Sequence, residues 1–419
     1  MPPPATLEVE IARLGGRGDG IGESAEGPVF VPLTLPGERA RVSPQGPRGS
    51  GRMARLVTVL RPSPARVEPP CAHFGDCGGC ALQHLARSAE AAWKRDKIAG
   101  ALARQGLAVE VPLPLATFPG GRRRAQWAAR RRNGNVTLGF NARASHRIVA
   151  IADCLVLRPR LLALLPALRP LLAALLRDGQ AADAQATEAD NGIDLWLRLP
   201  GTPSLAEREL LAGFAEAQDA ARISWGERAA ETILQRRLPV VALSGLPVSL
   251  PAGAFLQASR EGEALLQRLV VAGVGASASV LDLYAGLGTF ALALPASLRV
   301  HAVDAAADAI AALRQAAGQA DRRRLSAAVR DLDRQPFTAE ELKGYEAAIF
   351  DPPRAGAAKQ AAELARSGLS TIVAVSCSAS TFARDARLLV DGGYRLDSVH
   401  PVDQFPWSPH VELVARFSR

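Results

Sequence analysis

The chain predicts a multidomain protein: a small N-terminal β-barrel, a central α+β domain, and a C-terminal α/β domain built on a Rossmann-like parallel sheet. Three observations predict it. Residues 1 to about 62 alternate short β-like runs with glycine-rich turns. Three of the five cysteines crowd into CAHFGDCGGC directly after a proline-rich segment. From about residue 250 the chain alternates strand, helix and strand to its end. The expected divisions are therefore 1–62, 63–249 and 250–419, and 419 residues that are 48% hydrophobic are enough for several cores.

In the first division LEVEIARL, GPVFVPL, ERARV and ARLVTVL read as strands, and GGRGDGIG and LPGE as turns. PSPARVEPP reads as a stiff linker. SAEAAWKRDKIAGALARQG has helical spacing and ends at Gly106. Residues 121–147 carry eight arginines and no acidic residue, with Trp127 and Phe140 interleaved. With Asn133-Gly134 as the turn, this is a basic β-hairpin, able to neutralise phosphates and offer faces on which bases stack. The plainer alternative is an edge strand protected by charge. Between about 160 and 245 helical stretches alternate with strands such as GIDLWLRLP, and DGQAADAQATEADNG reads as a surface loop. The most apolar run, LLALLPALRPLLAALL, is broken by Pro166, Arg169 and Pro170, too interrupted to span a bilayer.

Cys71, Cys77 and Cys80 follow C-x5-C-x2-C, with Gly75, Gly78 and Gly79 permitting the tight bends by which several thiolates converge. Cys154 would supply a fourth ligand from a distant segment. Four thiolates suit an iron–sulfur cluster or structural zinc. Zinc usually draws on two compact pairs, so three clustered ligands plus a remote one lean towards [4Fe-4S]. Radical chemistry would want an iron with no fourth protein ligand, so the cluster reads as structural. A redox-sensitive cluster, few cysteines, and an opening MPPPATLEVE without basic and apolar regions point to the cytoplasm. The formal charge of +9 and a pI near 9.9 favour a polyanionic partner.

In the last division SVLDLYAGLGTFALALP, RVHAVDA, LSAAVRD, YEAAIFDPPRAG, STIVAVSCSAS and VELVARF read as successive strands, most of them running on into a loop or helix. Ligands of such sheets lie beyond the C-terminal strand ends, where Asp282, Gly286, Gly288, Asp304, Asp331, Asp351 and Cys377 all fall. Asp304 comes 18 residues after Gly286, right for a carboxylate on a ribose diol. Gly286-x-Gly288-x-x-Ala291 alone also fits a dinucleotide. S-adenosyl-L-methionine offers an adenosine and a methionine end for Tyr284, Asp304 and Asp331 to hold. The choice comes from Asp351-Pro352-Pro353-Arg354, a pattern typical of methyl transfer to planar nitrogen heterocycles, and from the lone cysteine ending the next strand. Hydride transfer needs neither.

C5 of uracil is a poor nucleophile until a thiolate adds to C6; a base must then remove the C5 proton so that the thiol can leave. Cys377 precedes a predicted helix, STFARDARLL, whose N-terminus is expected to depress the thiol pKa. Its plainer alternative is a buried small hydrophobe. Glu412 in HVELVARF is the candidate base, the alternative being a charge on an edge strand.

These residues resemble the RNA 5-methyluridine methyltransferases, specifically the cluster-containing members with an N-terminal TRAM domain that modify 23S ribosomal RNA. GGRGDGIG and LPGERARV look like the TRAM barrel, CAHFGDCGGCALQH with Cys154 like the cluster site, and DPPRAG, VSCSAS and HVEL like the catalytic motifs. The resemblance implies a class I methyltransferase domain with Cys377 as nucleophile and Glu412 as base. It places Gln257, Tyr284, Thr289, Asp304, Asp331 and Asp351 around S-adenosyl-L-methionine, with Gly286 in the same loop. Gln257 and Asp351 would also touch the uracil. It implies a cytoplasmic monomer acting on 23S rRNA or a ribosome-assembly intermediate, away from membranes. The family often has Asn-Pro-Ala after its cysteine, where this chain has Ser378-Ala379-Ser380, and aromatic-aromatic-Gln-Val-Asn where it has Phe255-Leu256-Gln257-Ala258-Ser259. The competing readings are a tRNA 5-methyluridine enzyme, an RNA 5-methylcytosine enzyme, which would want a second cysteine where Pro352-Pro353 stands, and an inactive cluster-bearing RNA-binding protein.

Overall fold

A computed structural model describes residues 6–419; the first five, part of the expected barrel span and of the segment read for a secretion signal, lie outside it. Five strands, β1 (Leu7–Leu14), β2 (Gly20–Ser24), β3 (Gly27–Val31), β4 (Arg39–Arg48) and β5 (Gly51–Arg61), close into a barrel in the order β1-β2-β3-β5-β4. Alternation along β1 sends Val9 and Ile11 inward onto Val29, Val31, Ala40 and Val42. Glu8 and Glu10 stay outside, paired with Arg39, Arg41 and Arg61. β2 comes from the second half of the glycine-rich segment expected to be a turn. Glycine is needed there for close approach, since a Cβ on Gly22 would lie 2.2 Å from the Val9 side chain.

The expected linker is not free. The Ser63 backbone N–H and the Arg66 guanidinium both donate to Glu38, a carboxylate fully buried at the barrel's base, with Arg66 Nε 2.5 Å from Oε1. Helix α1 (Arg87–Arg104) comes next and ends just before Gly106, at φ 67°. Its Ile98, Ala101 and Leu102 pack with Leu283, Phe350 and Ile372, and the short β6 (Leu115–Ala116) pairs with a C-terminal strand. The boundary expected at residue 250 is thus crossed: this stretch shares the C-terminal core, because α1 carries an apolar face that its own neighbourhood does not cover.

The next sheet has seven strands in the order β13-β12-β11-β10-β7-β8-β9. They are β7 (Arg124–Arg132), β8 (Asn135–Asn141), β9 (Ile148–Ala150), β10 (Ala181–Ala189), β11 (Gly192–Arg198), β12 (Ala220–Trp225) and β13 (Glu231–Gln235), covered by α2 (Pro159–Leu162), α3 (Leu165–Leu175) and α4 (Leu205–Ala217). The β7–β8 hairpin forms as expected, with Asn133 and Gly134 at φ 50° and 78° in its turn. Two expectations fail here. The presumed surface loop contains β10, an interior strand paired with both β7 and β11, whose alanines pack the sheet closely although they are weak strand formers. Trp127 is wholly buried in the core beneath the hairpin, so its ring cannot stack on a base. α3 buries Leu165, Leu168 and Leu172, and no helix among the described residues is long and apolar enough to cross a membrane.

A hairpin of β14 (Val240–Leu243) and β15 (Leu246–Ser249) leads into α5 (Arg260–Val274). Strands β16 (Ser279–Leu283), β17 (Arg299–Asp304), β18 (Leu325–Val329), β19 (Ala347–Phe350), β20 (Thr371–Ser376), β21 (Arg395–Asp403) and β22 (Glu412–Ser418) alternate with α6 (Ala307–Gln319), α7 (Ala339–Leu342), α8 (Ala358–Arg366) and α9 (Ala379–Asp391). The sheet order is β18-β17-β16-β19-β20-β22-β21-β6. β16 to β20 are parallel as expected, but β22 runs antiparallel to both β20 and β21. The sheet is therefore mixed rather than parallel throughout. β21, with several polar residues and an internal Pro401, carries no strand signal in the sequence.

Candidate active site

Reversal of β22 is what assembles the site. Ser376 on β20 lies opposite Leu413 on β22, so the next residue, Cys377, faces Glu412, the first of β22. β19 lies beside β20 and delivers Asp351 to the same edge. Arg354, to which the sequence assigns no separate role, is close enough to Cys377 and Glu412 to act on the charge of both. Burial, and then Glu412, push the Cys377 thiol up, against the pull of Arg354. The depression expected from the helix after it is thus not the dominant influence: the site is drier and more acidic than the sequence suggests. Glu412 is 7% exposed, and burial followed by Asp351 raises it to about 8. Burial and Asp304 raise Asp351 to about 7.

Gln257 sits in the loop before α5 and is buried. Its carbonyl accepts from Arg123 Nε at 3.1 Å, and Arg123 is itself sealed in an ion pair with Glu263 at 2.5 Å. In the sequence this clamp is indistinguishable from the basic surface that GRRRAQ suggests.

The adjoining crevice lies beyond β16, β17 and β18. Tyr284, directly after β16, is held at φ 64°, an unusual conformation for a bulky residue and a mark of strain at a functional turn. Gly286, at φ 54°, has open space where a Cβ would point, while a Cβ on Gly288 would lie 2.4 Å from Leu313. One glycine thus opens the loop to a ligand and the other lets it pack on α6. Asp304 accepts from Gly286 N–H at 2.9 Å and Ala306 N–H at 2.8 Å, which fixes its carboxylate at the lip of the loop. Behind it Asp282 is fully buried, and its Oδ1 has no partner among the described residues. Asp331 stands exposed, accepting from Asp333 N–H at 3.1 Å, and the Tyr284 hydroxyl reaches Asp333 at 3.4 Å. Thr289 lies in the same loop, its carbonyl bonded to Gln267. An open glycine turn between carboxylates at strand ends fits a nucleoside whose hydroxyls and amine seek acceptors.

Cys71, Cys77, Cys80 and Cys154 line one cavity of about 1060 Å³ whose wall continues through Arg122 and Arg354 to Gln404. All four are half-buried, and none is in a disulfide. Burial and the neighbouring thiols raise Cys77 and Cys154, and Cys80 to about 12. Among the described residues no three His, Cys, Asp or Glu side chains stand close enough together to cage a metal ion. The donor set is that of a four-thiolate centre; the side chains share a cavity without converging on one point.

The basic hairpin is only partly a free surface. Arg122 faces the cysteine cavity, Arg123 is buried, and Arg124 is half-buried near Gly253. Arg143 pairs with Asp19 of the barrel and Arg147 with Asp76 of the cysteine segment. Arg130 and Arg132 are exposed and have no acidic partner among the described residues.

Comparison with known proteins identifies the family to which this fold belongs. Residues 252–418 match the family model of tRNA (uracil-5-)-methyltransferases. An RNA methyltransferase of Rhizobium meliloti is 40% identical over 99% of this chain and 100% of its own length. A 23S rRNA (uracil(1939)-C(5))-methyltransferase of Pectobacterium atrosepticum is 32% identical over 99% of this chain and 94% of its own. The crystal structure of a Pyrococcus abyssi tRNA (uracil-54, C5)-methyltransferase with S-adenosyl-L-homocysteine superposes with a TM-score of 0.78, at 25% identity, over 98% of this chain and 99% of the other. The chain therefore belongs to the uracil-5 RNA methyltransferase family and is an S-adenosyl-L-methionine-dependent enzyme.

Proposed function

We propose that this chain methylates C5 of a uridine in 23S rRNA, with Cys377 as nucleophile and Glu412 as base. The observation that carries this is their placement: two groups opposite each other on adjacent antiparallel strand ends, beside Asp351 and the glycine loop. Cys377 Sγ adds to C6 of the uracil, which turns C5 into the nucleophilic carbon of an enolate. S-adenosyl-L-methionine, when bound by the Tyr284–Thr289 loop with Gln257, Asp304, Asp331 and Asp351, supplies the electrophilic methyl group. Glu412 then takes the C5 proton, and loss of Sγ from C6 restores the C5–C6 double bond. Glu412 acts from its ionised form, and the burial that raises its pKa makes that carboxylate a stronger acceptor for the C5 proton.

Cys71, Cys77, Cys80 and Cys154 would hold a structural [4Fe-4S] cluster that ties the cysteine segment to the hairpin sheet. This reading rests on the donor set and on the cavity the four thiols share. Exposed arginines of the hairpin and barrel would bind phosphates. We assign the enzyme to the cytoplasm, where its RNA substrate is made, and to a monomer, since Cys377 and Glu412 come together within one chain. Mapping 5-methyluridine in 23S rRNA and in tRNA from cells lacking the gene tests the substrate. Ribosomal RNA should lose 5-methyluridine and regain it with the wild-type gene but not with Cys377→Ala. Loss confined to tRNA would reassign the substrate to the kind named for the P. abyssi structure.

A further inference from the structure

Gln404, between β21 and β22, touches both the proposed base and Gln257, and its hydrogen bonds leave no freedom in how the two amides are turned. Its Oε1 accepts from the Ala258 backbone N–H at 3.1 Å. A backbone N–H can only donate, so this oxygen is fixed, and Gln404 Nε2 must face the other way. Nε2 lies 2.7 Å from Gln257 Oε1 and 3.5 Å from Glu412 Oε1. As a donor it requires an acceptor on Gln257, so the Gln257 oxygen is taken and its NH2 is the free end. That NH2 has no partner among the described residues and is not sealed from solvent.

Both sides of this contact are anchored by buried cations from the N-terminal half. Lys94 of α1, fully buried, donates to Asp403 Oδ1 at 2.7 Å and to the Phe405 carbonyl at 3.0 Å, so it holds the residues flanking Gln404. Arg123 holds the Gln257 carbonyl and the Ala258 carbonyl, the latter through its backbone N–H at 3.0 Å. Neither amide can turn over without breaking a buried hydrogen bond.

We propose that Gln404 is a positioning residue that sets base specificity: it locks Gln257 with its NH2 towards the substrate, as a donor for the O4 oxygen of uracil. Cytosine carries an amine at the same place, and two donors facing each other leave both unpaired. The proposal rests on the reading of Cys377 and Glu412 as the uracil site.

The test compares RNA substrates whose target base is 5-fluorouridine or a 5-fluoro-2-pyrimidinone ribonucleoside, which lacks the 4-oxygen. The rate of covalent adduct formation with wild-type protein is compared with that of Gln404→Leu. With 5-fluorouridine the variant should be about tenfold slower, the worth of roughly one hydrogen bond. With the 2-pyrimidinone, variant and wild type should react alike. Gln404→Met, similar in size and uncharged, also lacks the donor; made with a melting temperature measured beside that of wild type, it guards against a folding defect and should reproduce the same pattern. Equal slowing on both bases by both variants, or no slowing on either, would overturn the proposal. Absence of any wild-type adduct with 5-fluorouridine RNA would instead remove the uracil reading itself, and the proposal with it.

Discussion

Replacing Glu412 by glutamine should stabilise the protein, and by an amount that grows with pH. In the folded chain the carboxyl is 7% exposed, lies near Asp351 and among the described residues receives only the 3.5 Å bond from Gln404, so burial and like charge raise it from 4.5 to about 8. Between those two values the folded protein keeps a proton that the unfolded chain has already released. The stability this gives is complete below the unfolded pKa and is lost as pH climbs through the folded one. By pH 8 the loss is on the order of 4 kcal/mol, less any relaxation of the site. Glutamine is similar in shape, cannot ionise, and escapes the loss. Scanning calorimetry of both proteins at pH values from 5 to 9 checks this. The two should melt together at pH 5, and the variant should melt higher by roughly 5–10 °C at pH 8 for a unit of this size. A melting difference that stays constant across the range would refute the reasoning, because it would mean that Glu412 titrates alike in the folded and unfolded chains.

The arginines of the basic segment should separate into two kinds. Arg123→Ala leaves Glu263 buried without its partner and should cost about 3–5 kcal/mol of stability, seen as a large fall in melting temperature. Arg130→Ala with Arg132→Ala should leave the melting temperature unchanged and lower the slope of log RNA affinity against log salt by about 2. Protein purified without oxygen should carry iron and sulfide and absorb broadly in the visible, and Cys154→Ala should lose most of both. Stoichiometric zinc without sulfide would replace the cluster by a zinc site.

Local signals in the sequence carry most of the fold. Strict alternation in LEVEIARL and the strand–helix rhythm after residue 278 specify the barrel and the parallel strands, because each such segment has one face that must be buried. Asn133-Gly134 specifies the hairpin through its positive φ. β10 is hidden because an interior strand made of alanine and polar residues lacks the β-branched signature; its burial comes from neighbours, not from its own composition. The same holds for α1, whose partner core lies some 200 residues downstream, a pairing that no local pattern reveals. At the site, Cys377 and Glu412 are readable as residue types in suggestive contexts, but their apposition depends on β22 running against β20. Gln404 and Arg123 give no signal of their own. A glutamine beside an aspartate and an arginine among arginines acquire roles only through the partners the fold brings to them. The thiol of Cys377 departs from its sequence expectation for the same reason: the helix after it is local, whereas its burial and Glu412 are not.

The roles given to Cys377 and Glu412 differ in time, one acting first and the other last, and a single gel experiment separates them. Glu412→Gln, incubated with substrate RNA and S-adenosyl-L-methionine, keeps the nucleophile and the methyl transfer but has no base for the C5 proton. It should accumulate a methylated protein–RNA adduct that survives denaturing electrophoresis, while Cys377→Ala and the double variant should form none. Turnover by Glu412→Gln at the wild-type rate with no adduct, or an adduct formed by Cys377→Ala, would contradict the account.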